Sequence, residues 1–133
     1  MKYKFLEHKA DAKFQAFGKT LEEAFSNAAL AMFSLMTDIK KVKGKIERKF
    51  NVKGYDKKAL LYNFLEELLF LLDSEGFLLY KIKKIKIVNN KLEAVVVGDK
   101  VSNYETHGEV KAVTYNEMEI KEKPYMVQVV VDM

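Results

Sequence analysis

Thr20-Leu21-Glu22-Glu23-Ala24-Phe25-Ser26-Asn27-Ala28-Ala29-Leu30-Ala31-Met32-Phe33-Ser34-Leu35 is the stretch whose reading decides the fold. Its first four residues fit a capping box, in which the Thr20 hydroxyl and the Glu23 carboxylate each satisfy an amide left free at a helix start. Leu21, Phe25, Ala28, Met32 and Leu35 then recur at helical spacing and form one stripe, with Glu22, Ser26 and Asn27 largely off it. The stripe reads as a core face, and the helix is expected to end near Asp38.

Outward from this helix the pattern changes period. Upstream, Ala12, Phe14 and Ala16 alternate as on a strand until Gly18 breaks it, and residues 3–6 make a further short strand. Downstream, Ile46, Arg48, Phe50 and Val52 alternate with Glu47, Lys49 and Asn51, a strand with Arg48 near its exposed start. Gly54 closes it and Asp56 caps a second helix, whose central stripe is Leu61, Leu65, Leu68 and Leu72 and whose stop is Gly76. Leu60, Phe64, Leu69, Phe70 and Leu71 widen the apolar surface well beyond that stripe, as expected of a helix central to the core. The remainder reads as β: residues 78–88, an Asn89-Asn90 turn, residues 92–97, then about 110–120 with a turn near Asn116, and 125–131. No internal repeat is evident. The order βαβα followed by strands implies an α+β fold in a single domain over residues 1–133, with two helices packed on a mainly antiparallel sheet.

Composition narrows the function. The chain is 49% hydrophobic and 32% charged with one proline, a globular mix. It has no cysteine, which excludes disulfides, thiolate metal sites and a cysteine nucleophile. The amino terminus lacks the apolar core of a signal peptide, and no run approaches the roughly 18 apolar residues of a membrane span. A soluble, cytoplasmic protein is expected. Of 23 basic residues against 19 acidic, a formal +4, only Arg48 is arginine, so bidentate phosphate or guanine recognition is poorly supplied.

Catalytic motifs are equally scarce. There is no Gly-rich phosphate loop, HExxH or GxSxG, and only two histidines. His107 lies in a turn-like Thr106-His107-Gly108 stretch and reads as a surface histidine. Glu7, His8 and Asp11 cluster between two strand candidates, while Asp132 follows Val129-Val130-Val131. If the strands carrying them are neighbours, Asp11 and Asp132 come together. Two carboxylates about 4 Å apart repel by roughly 4 kcal/mol at an effective dielectric of 20, and a hard cation such as Mg²⁺ or Ca²⁺ relieves that. Aspartates are also ordinary turn formers at strand ends, and the residues alone leave both readings open.

Glu7-His8-Lys9-Ala10-Asp11 resembles the EHTAD-type opening of the archease family. Gly18-Lys19-Thr20-Leu21-Glu22-Glu23-Ala24-Phe25 is similar to its GKTLEEAF segment, continued by Ala28-Ala29-Leu30-Ala31-Met32-Phe33. Ala59-Leu60-Leu61 through Phe64-Leu65-Glu66-Glu67-Leu68-Leu69 resembles its second helix, Lys111-Ala112-Val113-Thr114-Tyr115 its KAVTY-type strand, and Val131-Asp132 its hydrophobic-Asp ending. The blocks keep family order from residue 7 to residue 132. Lys9 stands where threonine is usual, and Asn63-Phe64 and Glu66 where a Trp- and Asn-containing pattern is common.

The resemblance implies an SHS2-like/archease fold and a non-enzymatic activator of an RtcB-type tRNA-splicing ligase. Such an activator promotes guanylylation of the ligase and multiple-turnover joining of RNA ends bearing a 3′-phosphate or 2′,3′-cyclic phosphate to a 5′-hydroxyl. It also implies a metal site of Asp11, Asp132 and the main chain of Met133, the last residue of the sequence, with Ca²⁺ ahead of Mg²⁺. Glu7, His8, His107 and Lys111 are then candidate contacts to partner or nucleotide. The expected partner is the ligase, with tRNA or other RNA met through it, no membrane, and a monomeric or weakly oligomeric state. The rival readings are a general chaperone-like or RNA-binding module for RNA-modifying enzymes, and a metal-dependent hydrolase using Asp11 and His8.

Overall fold

The computed structural model describes residues 1–7 and 11–133. Its elements run β1 (Tyr3–Leu6), β2 (Ala12–Gly18), α1 (Leu21–Ser34), β3 (Ile46–Lys53), α2 (Lys57–Glu75), β4 (Phe77–Val88), β5 (Lys91–Lys100), β6 (Ala112–Lys121) and β7 (Tyr125–Asp132). Short 3-10 turns cover Ile39–Lys41 and Val101–Asn103. Two helices and all-antiparallel strands give the α+β class that the sequence implies. The strands divide, however, into two sheets, ordered β1-β2-β7-β6 and β3-β5-β4.

The division has an origin that residue spacing explains. Thr20 accepts a hydrogen bond from the Glu23 amide at 3.1 Å, and Asp56 accepts one from the Ala59 amide at 2.8 Å, so both helices are capped alike. Seven residues beyond each cap an asparagine turns back to the preceding strand: Asn27 Nδ2 donates to the Phe17 carbonyl at 2.7 Å, and Asn63 Nδ2 to the Lys53 carbonyl at 2.8 Å. Gly18 and Gly54 complete the match. A Cβ on Gly18 would lie 2.5 Å from the Ala24 nitrogen, and one on Gly54 would lie 2.5 Å from the Leu60 nitrogen. Lys13-Phe14 and Lys49-Phe50 fall at the same interval. Contrary to the expectation of no repeat, β2–α1 and β3–α2 are two copies of one strand–glycine–cap–helix unit.

Each copy is extended by a hairpin in the same sense. β6–β7 joins β2 through β7, and β4–β5 joins β3 through β5. Each helix touches both sheets, α1 against β2, β7 and β4, and α2 against β6, β3 and β4. Each also sends a glutamate to an edge strand: Glu66 accepts from the Val113 amide at 2.7 Å and Glu22 from the Ile87 amide at 3.4 Å. Edge amides that would otherwise invite strand pairing are thereby occupied.

The core fills the space between the sheets. Phe64 of α2 lies 6.0 Å, centroid to centroid, from both Phe25 of α1 and Phe50 of β3, and Phe64 is fully buried. Burying one such side chain contributes about 1.5–3 kcal/mol. Leu60, Leu61, Leu65, Leu68, Leu69 and Leu71 are buried too, which is why α2 is apolar beyond one stripe. Phe70 is the exception and points to solvent. Gly76 ends α2 at φ 66°, a left-handed position that costs glycine nothing.

One boundary differs from expectation. α1 stops at Ser34 rather than near Asp38, because the Leu35 and Met36 amides bond three residues back and tighten the last turn. Asp38 instead caps the 3-10 turn that follows, accepting from the Lys40 amide at 3.3 Å. Arg48 lies near the exposed start of β3, as expected, and its side chain points toward α2 to pair with Glu75 at 2.7 Å. Among the described residues no helix is long and apolar enough to cross a membrane.

Candidate functional site

The acidic pair lies where β2 begins and β7 ends. Their antiparallel register runs to Ala12 opposite Val131, so Asp11, just before β2, and Asp132, the last residue of β7, lie at the same end of the ladder. By alternation Asp132 shares the outer face of β7 with Val130, beside Lys13 and Gln15 of β2. Asp11 is half-buried and Asp132 exposed. On its other side Asp132 sits opposite Ala112 of β6, and its carbonyl accepts from the Lys111 amide at 2.8 Å. Lys111 is exposed beside it.

The loop leading into β6 closes over the same end. The Thr37 hydroxyl donates to the Glu105 carbonyl at 2.9 Å, and the His107 amide donates to the Met36 carbonyl at 2.9 Å. A Cβ on Gly108 would lie 2.8 Å from the Leu35 carbonyl oxygen and 3.2 Å from Met133 Cε. Only a residue without a side chain passes there. Met133, half-buried against the core, is thus flanked by the carbonyl end of α1. A helix carboxyl end carries partial negative charge, and α1 has no basic residue in its last turn to offset it.

Asp11, Asp132, Met133 and Lys111 therefore gather at one end of the four-stranded sheet. His107 is exposed on the loop stitched to that end, and Glu7 is exposed in the β1–β2 connection that returns to Asp11. His8 lies outside the described residues.

The related copy shows what is particular to this end. The interval that separates Gly18 from Gly54 carries Asp11 onto Glu47, whose partner across the sheet is Val97. Glu47 is matched by Lys83 at 2.8 Å, and that hydrogen bond and charge hold its carboxyl below the usual range. Glu47 at one end is paired with Lys83, and at the other end stand two aspartates, Asp11 and Asp132.

Chemically, two carboxylates and a main-chain carbonyl are an all-oxygen donor set of the type that hard divalent cations prefer. Among the described residues no three His, Asp or Glu side chains stand close enough to hold a metal by themselves. The set fits such a cation in kind and leaves most of its shell to other ligands.

Sequence reading passed over a second polar group near the base of this loop. Asp99 is buried and accepts from the Tyr104 hydroxyl at 2.7 Å and the Lys100 amide at 2.8 Å. The Lys43 amide donates to the Tyr104 oxygen at 3.0 Å. The Tyr104 hydrogen bond above all, then the Lys100 amide, lowers the Asp99 carboxyl below its ordinary value, while the same bond raises the Tyr104 phenol. Asp99 follows a Val95-Val96-Val97-Gly98 run with no neighbour in sequence to mark it. The stacked Tyr62–Tyr115 pair, 4.4 Å between ring centroids, was likewise invisible because it joins α2 to β6.

Comparison with known proteins finds relatives over nearly the whole chain. The model of the Archease protein family matches residues 3–133. The chain is 43% identical to the protein archease of Thermococcus kodakarensis, with 99% of each chain covered. It is 41% identical to that of Methanosarcina barkeri, covering 98% of this chain and 94% of the relative. Among solved structures, the solution structure of Methanobacterium thermoautotrophicum protein 1598 superposes with a TM-score of 0.82 at 35% identity, over 99% of both chains. The Thermotoga maritima archease, described as a possible chaperone, shares the fold with a TM-score of 0.61 at 20% identity, over 96% of this chain and 94% of that one. With a family match over nearly every residue and the fold shared, this chain belongs to the archease family.

Proposed function

We propose that this protein is a non-enzymatic activator of an RtcB-type RNA ligase, promoting its guanylylation and its repeated joining of 3′-phosphate or 2′,3′-cyclic-phosphate ends to 5′-hydroxyl ends. The observation that carries the reading is that Asp11, leading into β2, and Asp132, ending β7, lie at the same end of the sheet as Met133, Lys111 and the His107 loop. Membership of the archease family supports it, since ligase activation is what the resemblance implies.

The Asp11 and Asp132 carboxylates with the Met133 carbonyl would hold a divalent cation, Ca²⁺ ahead of Mg²⁺, which when bound supplies positive charge and positions open to phosphate oxygens. The protein's own residues would do the rest. The end of the β2–β7 ladder would bring the two carboxylates near one another. Lys111 would add positive charge at the same edge. Asp132 closes β7 and the loop bearing His107 is tied to α1, so this end would offer a built surface to a partner. RNA would be engaged within the complex with the ligase, and no residue here performs the bond-making step.

Calorimetry with Ca²⁺ alone, and guanylylation of the ligase with GTP, test this together. Wild type is expected to bind Ca²⁺ and to speed guanylylation. Asp11→Asn should lose both while keeping the wild-type circular dichroism spectrum. An Asp11→Asn protein that still speeds guanylylation fully would remove the acidic pair from the mechanism.

A further inference from the structure

The outer face of β3-β5-β4 carries a charge distribution that the site does not use. Strand alternation brings Lys49, Asn51 and Lys53 of β3, Lys91, Glu93 and Val95 of β5, and Lys84, Lys86 and Val88 of β4 to one side. Across the three strands they line up as Lys49–Val95–Lys84, Asn51–Glu93–Lys86 and Lys53–Lys91–Val88. Further along the same face Glu47 is paired with Lys83 and Lys81 lies over Tyr80; in the three rows above, five lysines stand against one glutamate, Glu93. All five are exposed, and among the described residues none is in an ion pair. Between them the surface is hollow, with a depression of ≈ 450 Å³ lined by Lys49, Asn51, Lys84, Lys86, Glu93 and Val95.

The other sheet supplies the comparison. The register of its outer face brings Lys4, Lys13 and Lys121 to that side with a partner each, and exposed Lys2 stands at its rim opposite Phe17. Lys4 lies over the Phe17 ring at 6.0 Å, Lys13 meets Glu117 at 3.1 Å, and Lys121 meets Glu119 at 4.0 Å. A role in solubility alone would spread unmatched lysines over both sheets. Concentration on one face produces a local field of one sign, which a polyanion with regularly spaced charges can follow. The face has lysine and no arginine, since Arg48 points to the opposite side to reach Glu75. Point charges without planar forks suit phosphate oxygens and give no base readout.

We infer that the outer face of β3-β5-β4 binds the sugar–phosphate backbone of RNA, independently of sequence. The choice of RNA over other polyanions rests on the ligase reading above. The lysines lie on a different sheet from Asp11 and Asp132, so this face would steady an RNA substrate while the acidic end serves the ligase.

The test is fluorescence anisotropy of a labelled RNA hairpin with this protein alone. Binding should weaken steeply between about 50 and 200 mM salt, with a log–log slope near −4 for five phosphate contacts. The Lys49→Gln/Lys84→Gln/Lys86→Gln variant should flatten that slope by about 2 to 3, since each lost contact removes roughly 0.7–0.9. Lys4→Gln/Lys121→Gln, on the other sheet, should leave it unchanged. No binding at low salt, an unchanged slope in the triple variant, or an equal loss in the control variant would each overturn the inference, as would competition by polyglutamate equal to that by RNA. RNA binding by a protein that leaves the ligase unaffected would keep this inference and sink the activator reading. Activation without RNA binding would do the reverse.

Discussion

Asn27 and Asn63 make the same hydrogen bond in two copies of one unit, and their different burial sets different costs for losing it. Asn27 is 7% exposed and its amide donates to the Phe17 carbonyl at 2.7 Å. In Asn27→Ala that carbonyl loses a partner where water cannot replace it, at a cost of about 1–3 kcal/mol. Asn63 donates to the Lys53 carbonyl at 2.8 Å in an exposed setting. Water takes over in Asn63→Ala, and the loss should stay near 0.5 kcal/mol. Urea unfolding followed by circular dichroism reads both. With an m-value of about 1.5–2 kcal/mol/M, Asn27→Ala should lower the midpoint by roughly 1 M and Asn63→Ala by about 0.3 M, both with unchanged slope. Equal losses, or a greater loss from Asn63→Ala, would refute the claim that burial separates the two copies.

Further outcomes follow from the same geometry. Gly18→Ala would place a methyl group 2.5 Å from the Ala24 nitrogen, so the start of α1 must shift; a loss of about 1–3 kcal/mol is expected in urea unfolding. Glu66→Ala removes the acceptor of the Val113 amide, and hydrogen exchange by NMR should show that amide losing protection ahead of its neighbours in β6. The Asp99 carboxyl is lowered in the folded protein, first by the Tyr104 hydrogen bond. Its contribution is therefore complete above the unfolded value of about 3.9 and lost as pH falls through the folded value. Tyr104→Phe should flatten the fall in stability below about pH 4, measured by urea midpoints across pH, and an unchanged acid limb would contradict the assignment.

Much of this was legible in the residues. Thr20 and Glu23 announced the start of α1, and the structure shows the Thr20 half of the box at 3.1 Å, while Glu23 Oε1 accepts from the Lys19 amide at 3.4 Å. Alternation located β2 and β3, and Ile46 to Lys53 expose every second residue as the pattern requires. Partition into two sheets was not legible, because an alternating strand declares that it has an inner face and not which sheet it joins. The repeat was missed for a related reason: its members share little beyond Lys-Phe, a glycine, a capping residue and an asparagine at fixed spacing. Those few residues make backbone contacts, whereas the residues between them are free to differ. For the candidate site, Asp11 and Asp132 could be paired only on condition that their strands adjoin, and β2 and β7 do adjoin. Lys111 and Gly108 enter through a main-chain bond and a close approach, neither of which has a sequence period.

The internal repeat also explains why one acidic end stands out. At the equivalent ends of the two copies, one carries the Glu47–Lys83 pair and the other carries Asp11 and Asp132. Removing the match by Lys83→Ala would not recreate the second site, because Val97 stands where Asp132 would be needed.

The most direct test of the central claim is RNA joining by an RtcB-type ligase at substrate excess, with GTP and a divalent cation, in the presence and absence of this protein. The account predicts that the protein converts slow joining into repeated turnover, and that Asp132→Asn abolishes the gain while leaving the stability from urea unfolding within about 0.5 kcal/mol of wild type. An active ligase whose turnover is the same with and without the protein would contradict it.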